Sequence, residues 1–281
     1  MKNDNKSPYT INFTDKALTF IGKHIDLNDP EAVKAFIANL DTTNNYKRNL
    51  TMSYNRYCKF NGIRWIMPTY EQTPQDIKLP TKEKLLMLIA HAKKTMGLKL
   101  TLSMETGLRP VELCRLKVKD FDTEHKTIRP ITAKHGNPRT LKVSSELSQR
   151  LQQHILLNRL QNDNIFKGDA DYYGKYFRQM RNNLAKKLND PTIRQIRLYD
   201  YRHYFCTRKL YDQTNPYTVM VLMGHKSLKT TQKYMHLLTD DDPEWMVEST
   251  QYQKRADELI AHNYEYVLTT PDGHMKFRKR K

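Results

Sequence analysis

Between residues 66 and 80 the chain loses its hydrophobic periodicity. The segment IMPTYEQTPQDIKLP carries three prolines. Proline removes a backbone donor and blocks helix, so this stretch is not part of a packed helix. Both flanks do repeat at helical spacing. The sequence therefore divides into a small unit at 1–65, a linker at 66–80 and a larger unit from Thr81 onward. At 281 residues the chain has room for two small domains.

The first unit reads as short helices. Asp29 followed by Pro30 is a helix start, a capping carboxylate before a proline in the first turn. Behind it Val33, Phe36, Ile37 and Leu40 share one face. A second stripe, Leu50, Tyr54, Tyr57 and Cys58, runs through 42–60 and stops at Gly62. The same stretch is expected to expose Lys47, Arg48, Arg56 and Lys59, which gives a basic helical module.

In the larger unit Leu85, Leu88, Ile89 and Ala92 form a first stripe. A helix from Leu98 stops at Gly107, and Pro110 opens a short one. The period changes over 117–143, where KTIRPITAK and PRTLKV flank His135-Gly136-Asn137 and predict a β-hairpin turning at Gly136. Helical spacing returns over 147–160, 172–184, 199–210 and 218–223, and Ser227 is placed to cap a helix running to Tyr234. The fold class expected is mainly α with a small antiparallel β-hairpin or sheet. Cys58, Cys114 and Cys206 are far apart, sit among apolar residues and have no zinc or disulfide spacing, so they are expected to be buried thiols.

Lysine and arginine number 48 against 30 acidic residues, a net charge of +18. Such an excess calls for a polyanionic partner. No apolar run approaches a membrane span and the N-terminus lacks a signal-peptide core, so the expected partner is nucleic acid, the expected place the cytoplasm around the nucleoid, and no membrane is involved. No H-E-x-x-H, carboxylate cluster or P-loop is present, so neither a metal nor a nucleotide cofactor is expected.

Several polar residues stand at element junctions. Arg109 lies between Gly107 and Pro110, with Glu112 three residues on and able to orient its guanidinium. Lys134 stands beside the hairpin turn, Arg202 and His203 lie early in a helical stretch, Gly224-His225 forms a turn, and Tyr234 ends the following stretch. Singly each has a plain reading as a surface salt bridge, a solvated lysine or one tyrosine among 17. Their order is more specific: TGLRPVELCRL, TAKHGNPRTLKV, YDYRHYF and LMGHKSLKTTQKYMH.

That series resembles the tyrosine recombinases, also called phage integrases. The T-G-x-R-x-x-E box is matched by Arg109 and Glu112, and the hairpin lysine by Lys134. The H-x-x-R-H box is matched at Arg202 and His203. The L-x-G-H-x-x-x-x-T-x-x-Y-x-H box is matched by Gly224, His225, Thr230 or Thr231, Tyr234 and His236. The resemblance is strong over about 81–240, and the first helices are consistent with a core-binding domain. One position departs: Tyr199 stands where histidine is usual, similar to a variant of archaeal integrases. A phenol there donates a hydrogen bond but is a poor proton shuttle at neutral pH.

The resemblance implies a two-domain architecture with a catalytic domain at 81–240 and a 241–281 extension that ends in a helix and a basic tail, exchanged between subunits or packed locally. In the extension Trp245, Met246, Tyr252, Leu259 and Ile260 are expected to form a docking helix, followed by a hairpin around Asp272-Gly273. It further implies a double-stranded DNA attachment site as partner, a homo-tetramer on synapsed DNA built from a dimer per site, and a free monomer. The implied chemistry is attack by Tyr234 on a backbone phosphate, with Arg109, Arg202 and His225 meeting the phosphoryl charge and Lys134 protonating the 5′ leaving group. Other readings are dimer resolution, a type IB topoisomerase, or a DNA-binding protein with a decayed site.

Overall fold

In the computed structural model, residues 6–71, 77–133, 136–212, 214–235 and 245–280 are described. The chain divides into two compact units, Met1–Asp76 and Ile77–Lys281. The proline segment lies at their junction. Its N-terminal part contributes Tyr70 to the first core, and Ile77 packs in the second unit.

The first unit is a three-helix module. Helix α1 (Pro8–Gly22) starts behind Ser7, α2 (Pro30–Asn39) behind Asp29 and α3 (Asn44–Asn61) behind Thr43. Each cap side chain accepts from a first-turn N–H that the helix leaves unpaired. The predicted stripes meet as Val33 and Ile37 against Leu50, Tyr54 and Cys58, closed by Ala17 and Ile21. The buried Tyr54 hydroxyl donates to the Leu27 carbonyl at 2.9 Å. Arg48 and Lys59 are exposed as expected, but Lys47 and Arg56 are half-buried. Lys47 Nζ donates to the Ala38 carbonyl at 2.7 Å and Arg56 Nη1 to Thr14 Oγ1 at 3.3 Å. These two cations hold α3 to α2 and α1, a use that helical spacing does not reveal.

The second unit is mostly helical: α4 (Lys82–His91), α5 (Lys94–Thr106), α6 (Pro110–Cys114), α7 (Ser145–Leu157), α8 (Ala170–Lys187), α9 (Leu198–Tyr211), α10 (Pro216–Met223) and α11 (Leu228–Gln232). Helix α5 is buried along Met96, Leu98, Leu100, Leu102 and Thr106, several sides at once, as expected for a helix at the centre of a domain. It packs against α9, whose Tyr201 and Cys206 are fully buried. Gly107 ends α5 at φ +63°, and a Cβ there would stand 2.5 Å from the Phe205 ring. Glycine is thus required both for the turn toward Arg109 and for the approach of α9.

The predicted hairpin is present in topology but not in extent. Strands β1 (Phe121–Asp122), β2 (Thr127–Ile128) and β3 (Leu141–Lys142) form an antiparallel sheet in that order, with Ile128 opposite Leu141. Each strand is two residues long, and the described residues between β2 and β3, 129–133 and 136–140, carry no strand, though Gly136 N–H donates to the Ala133 carbonyl at 3.1 Å. Pro130 cannot donate to a ladder. Beyond it the polar groups bond elsewhere: Ala133 N–H and the Arg139 guanidinium donate to Glu112, and Asn137 Nδ2 donates to the His225 carbonyl.

After residue 244 the chain forms a small second sheet, ordered β4-β6-β5, from β4 (Trp245–Thr250), β5 (Glu265–Thr269) and β6 (Met275–Arg280). Helix α12 (Gln253–Ala261) covers one face through Ala256 and Leu259 on Phe277. The hairpin at Asp272-Gly273 stands as expected, with Gly273 at φ +83°. The expected docking helix divides instead: Trp245 and Met246 lie in a strand, and Leu259 packs within this module, while Tyr252 and Ile260 are exposed. The cysteines are free and buried, as their apolar surroundings imply. Among the described residues no helix is long and apolar enough to cross a membrane.

Candidate active site

Arg109 occupies the N-cap position of α6, where its extended backbone turns the chain into the helix. Its backbone N–H donates to Glu112 Oε2 at 3.0 Å, and its Nη1 to Oε1 at 2.8 Å. The Glu112 carboxylate is wholly buried and also accepts from Arg139 Nη2 at 2.7 Å and Ala133 N at 3.1 Å. Burial alone would push this carboxyl up; Arg139 and the backbone donors outweigh it and hold the group down at about 2. The expected role of Glu112 in orienting Arg109 therefore has a geometric basis.

Arg139 is the residue that sequence reasoning missed. Its side chain is fully buried and completes the ion cluster around Glu112. In a chain with 48 basic residues, nothing in PRTLKV marks one arginine as buried. It also explains Gly224. This residue ends α10 at φ +61°, and a Cβ there would lie 2.7 Å from Arg139 Nη1. The Gly-His turn and the loop after β2 thus touch through a position where no side chain fits.

Arg202 rises from α9 and is buried. Its Nη1 donates to the Gly107 carbonyl and its Nη2 to the Met223 carbonyl at 2.6 Å, so it ties the ends of α5 and α10 together. Burial and the neighbouring Arg109 lower its pKa to about 10, which still leaves it charged at neutral pH. Two of its five donors are used in these bonds.

His225 follows Gly224 and is buried. Its Nδ1 pairs with Thr231 Oγ1 at 2.9 Å, which settles the open choice of threonine: Thr231 is buried and Thr230 exposed. Tyr234 stands in a turn just after α11, which ends at Gln232 rather than reaching the tyrosine. Its ring is buried against Phe205, Cys206, Val219 and Met223. Its hydroxyl meets His203 Nδ1 at 2.9 Å, and its ring stacks on His225 at a centroid distance of 6.4 Å. Burial pushes the phenol up to about 12. Burial, with Arg202 and other guanidiniums nearby, draws both imidazoles down to about 4.

Tyr199 is more exposed, 39%, and lines a cleft with Arg197, Leu198 and His203. Its ring lies 6.0 Å from that of His203, and its hydroxyl has no hydrogen-bond partner among the described residues. Lys134 and His236 lie outside the described residues. Arg109, Glu112, Arg202, His203, His225 and Tyr234 are thus joined by direct contacts or share one charged neighbourhood, while Tyr199 stands at its edge.

The model of the Phage integrase family matches residues 79–240, more than half of the chain. The chain belongs to this family. Among curated relatives, "Tyrosine recombinase XerA" of Saccharolobus solfataricus is 30% identical over 195 residues, 69% of this chain and 64% of that protein. The chain spans just under two thirds of the length of three such relatives, 64%, 62% and 65%. A crystal structure of XerA recombinase superposes with a TM-score of 0.51 at 20% identity, covering 95% of this chain and 96% of that one. The Tn1549 transposon integrase in complex with circular intermediate DNA gives a TM-score of 0.62 at 20% identity, over 82% of this chain and 90% of the other. The fold of this integrase-family chain is that of the two-domain tyrosine recombinases, mainly helical with small antiparallel sheets.

Proposed function

We propose that the chain is a site-specific DNA recombinase that cuts and rejoins strands through a 3′-phosphotyrosine on Tyr234. The observation that carries this reading is the buried phenol held between two imidazoles beside Arg202. Attack places extra negative charge on the non-bridging phosphate oxygens. Guanidiniums stay protonated and offer planar forks to such oxygens. Arg109 and Arg202 are the clamp in this reading, with His225 as a further donor and Glu112 setting the first guanidinium. Lys134 is the donor to the departing 5′ oxygen, and Tyr199 hydrogen-bonds the phosphate rather than relaying protons. The resulting ester conserves the bond energy, so resealing needs no nucleotide.

The excess of 18 positive charges supports a duplex DNA attachment site as partner through phosphate contacts. Two protomers per site and four on a synapse, with a monomer when free, complete this reading. We place the chain with the integrases of mobile elements, of the archaeal type with Tyr199 in place of histidine. Resolution of chromosome or plasmid dimers is the second reading, favoured by the likeness to XerA. Incubating the protein with a nicked duplex that spans the element's insertion boundary tests the reaction. A covalent protein–DNA adduct is expected with the wild type and none with Tyr234→Phe. An adduct that persists in the variant overturns the assignment. Products from two separate duplexes support integration; exclusive excision between sites on one circle supports dimer resolution.

A further inference from the structure

The hydroxyl of Tyr234 makes one hydrogen bond among the described residues, to His203 Nδ1 at 2.9 Å. This histidine follows Arg202 on α9, so the helix that carries a phosphate-binding guanidinium also carries the imidazole on the phenol. We propose that His203 is the base that takes the Tyr234 proton during strand cleavage and returns it during resealing. The proposal rests on the reading of Tyr234 as the nucleophile and assigns the proton that this reading leaves unplaced.

Three facts favour His203 over its neighbours. His225 has its Nδ1 committed to Thr231 Oγ1. Tyr199 is a phenol, with no basic nitrogen to offer, and its hydroxyl bonds to none of the group. Among the described residues, His203 alone has a ring nitrogen at hydrogen-bond distance from the hydroxyl.

Its electrostatic setting suits the part. Burial, then Arg197 and Arg202 on its own stretch of chain, hold the imidazole at about 4. Tyr199 from its own helix and Tyr234 from the segment after α10 face its ring, and Arg109 and His225 lie beside Tyr234. The ring is therefore neutral at physiological pH, with one nitrogen free to accept a proton. Tyr234, pushed up to about 12, supplies almost no phenolate by itself. A scissile phosphate brings negative charge and raises the imidazole's affinity for a proton as the reaction begins.

The step balances. The Tyr234 Oη–P bond forms as the O–H proton passes to His203 Nδ1. The P–O5′ bond breaks, and the 5′ oxygen leaves as a hydroxyl with a proton from the leaving-group donor. In resealing, an incoming 5′-hydroxyl returns its proton to that donor and forms P–O5′. The P–Oη bond breaks and His203 reprotonates the phenol. Each strand exchange ends with both groups as they began.

The test uses the whole chain and the nicked boundary duplex, in one form with an oxygen and in another with a sulfur at the 5′ bridging position. Sulfur leaves without a proton, so it relieves a missing acid but not a missing base. His203→Gln is expected to slow adduct formation about 100-fold or more on both forms. Placing a more acidic fluorinated tyrosine at 234 is expected to restore most of that loss. In nitrogen-15 spectra the His203 Nδ1 is expected to be unprotonated, and its shift to move in Tyr234→Phe. Wild-type or faster cleavage by His203→Gln overturns the proposal and makes the bond a resting position for the tyrosine. So does rescue of the variant by sulfur, which makes His203 an acid. An adduct retained in Tyr234→Phe instead removes the nucleophile assignment itself, and the two failures are thereby distinguishable.

Discussion

On one side of the site, Arg109 and Arg139 share the buried carboxylate of Glu112. On the other, Tyr234 sits in a turn behind a five-residue helix, its ring buried among apolar side chains and stacked on His225, and its hydroxyl bonded to His203. The first wall is an ion cluster from two chain segments, and removing one partner of a buried pair costs about 3–5 kcal/mol. The second is tied by neutral bonds worth about 1 kcal/mol each. In the proposed reaction the charges that meet the phosphate are thus fixed before DNA arrives, whereas the hydroxyl of the proposed nucleophile is positioned by contacts that a modest gain elsewhere outweighs. The proposed strand exchange uses this asymmetry, because the bond to the tyrosine forms and breaks at a phosphate that the arginines hold.

The strongest way to break this comparison is Glu112→Ala. It leaves Arg139 buried without its anion and frees Arg109 from its orienting bonds. A stability loss of about 3–5 kcal/mol in urea unfolding is expected, together with loss of adduct formation. A loss below about 1 kcal/mol means that the arginine wall is no firmer than the tyrosine wall. Arg202→Met comes next, because that side chain spans both walls. Adduct formation should fall about 100- to 1000-fold. The carbonyls of Gly107 and Met223 lose their donor, which should cost about 1–3 kcal/mol of stability.

The two walls should also titrate apart. His203 and His225 fall from an ordinary 6.5 to about 4 on folding. The unfolded chain therefore binds protons first, and stability falls as pH drops from about 6.5 toward about 4, by about 1.4 kcal/mol per pH unit for each ring. Glu112 falls from 4.5 to about 2, so its contribution is present above 4.5 and is lost as pH falls toward 2. Urea midpoints measured across pH should show both slopes. The paired variant His203→Gln with His225→Gln should flatten the upper one only, and Glu112→Gln the lower one only. A single merged slope that both variants reduce equally contradicts the separation.

How legible the site was follows the same division. Arg109 and Gly224 sit at helix ends that glycine and proline punctuate, and local chemistry marks those ends, whereas Arg202 within α9 and Tyr234 after α11 stand out only through the order of the motifs. Asp29 and Ser227 cap helices where the sequence places them. Arg139 was not legible, because its meaning lies in a carboxylate 27 residues away. The hairpin was overextended for a related reason. The β-branched residues after Ile128 have strand propensity, but their neighbours' polar groups bond to Glu112 and His225, so the tertiary partners outweigh the ladder. His203 was legible as a neighbour of the site but not as the contact on the phenol, since that contact spans 31 residues.

The finest distinction concerns two adjacent threonines that the pattern leaves equivalent. Thr231 is fully buried and its hydroxyl meets His225 Nδ1; Thr230 faces solvent. Thr231→Val keeps the volume and removes the hydroxyl, which should cost about 1 kcal/mol and about ten-fold in adduct formation as the imidazole loses its anchor. Thr231→Ser should recover most of both, and Thr230→Val should change neither. If Thr231→Val cleaves at the wild-type rate while stability falls, His225 is held by its ring stacking alone. The nucleophile wall then depends on one polar bond, that between His203 and Tyr234, and the contrast with the arginine wall is greater still.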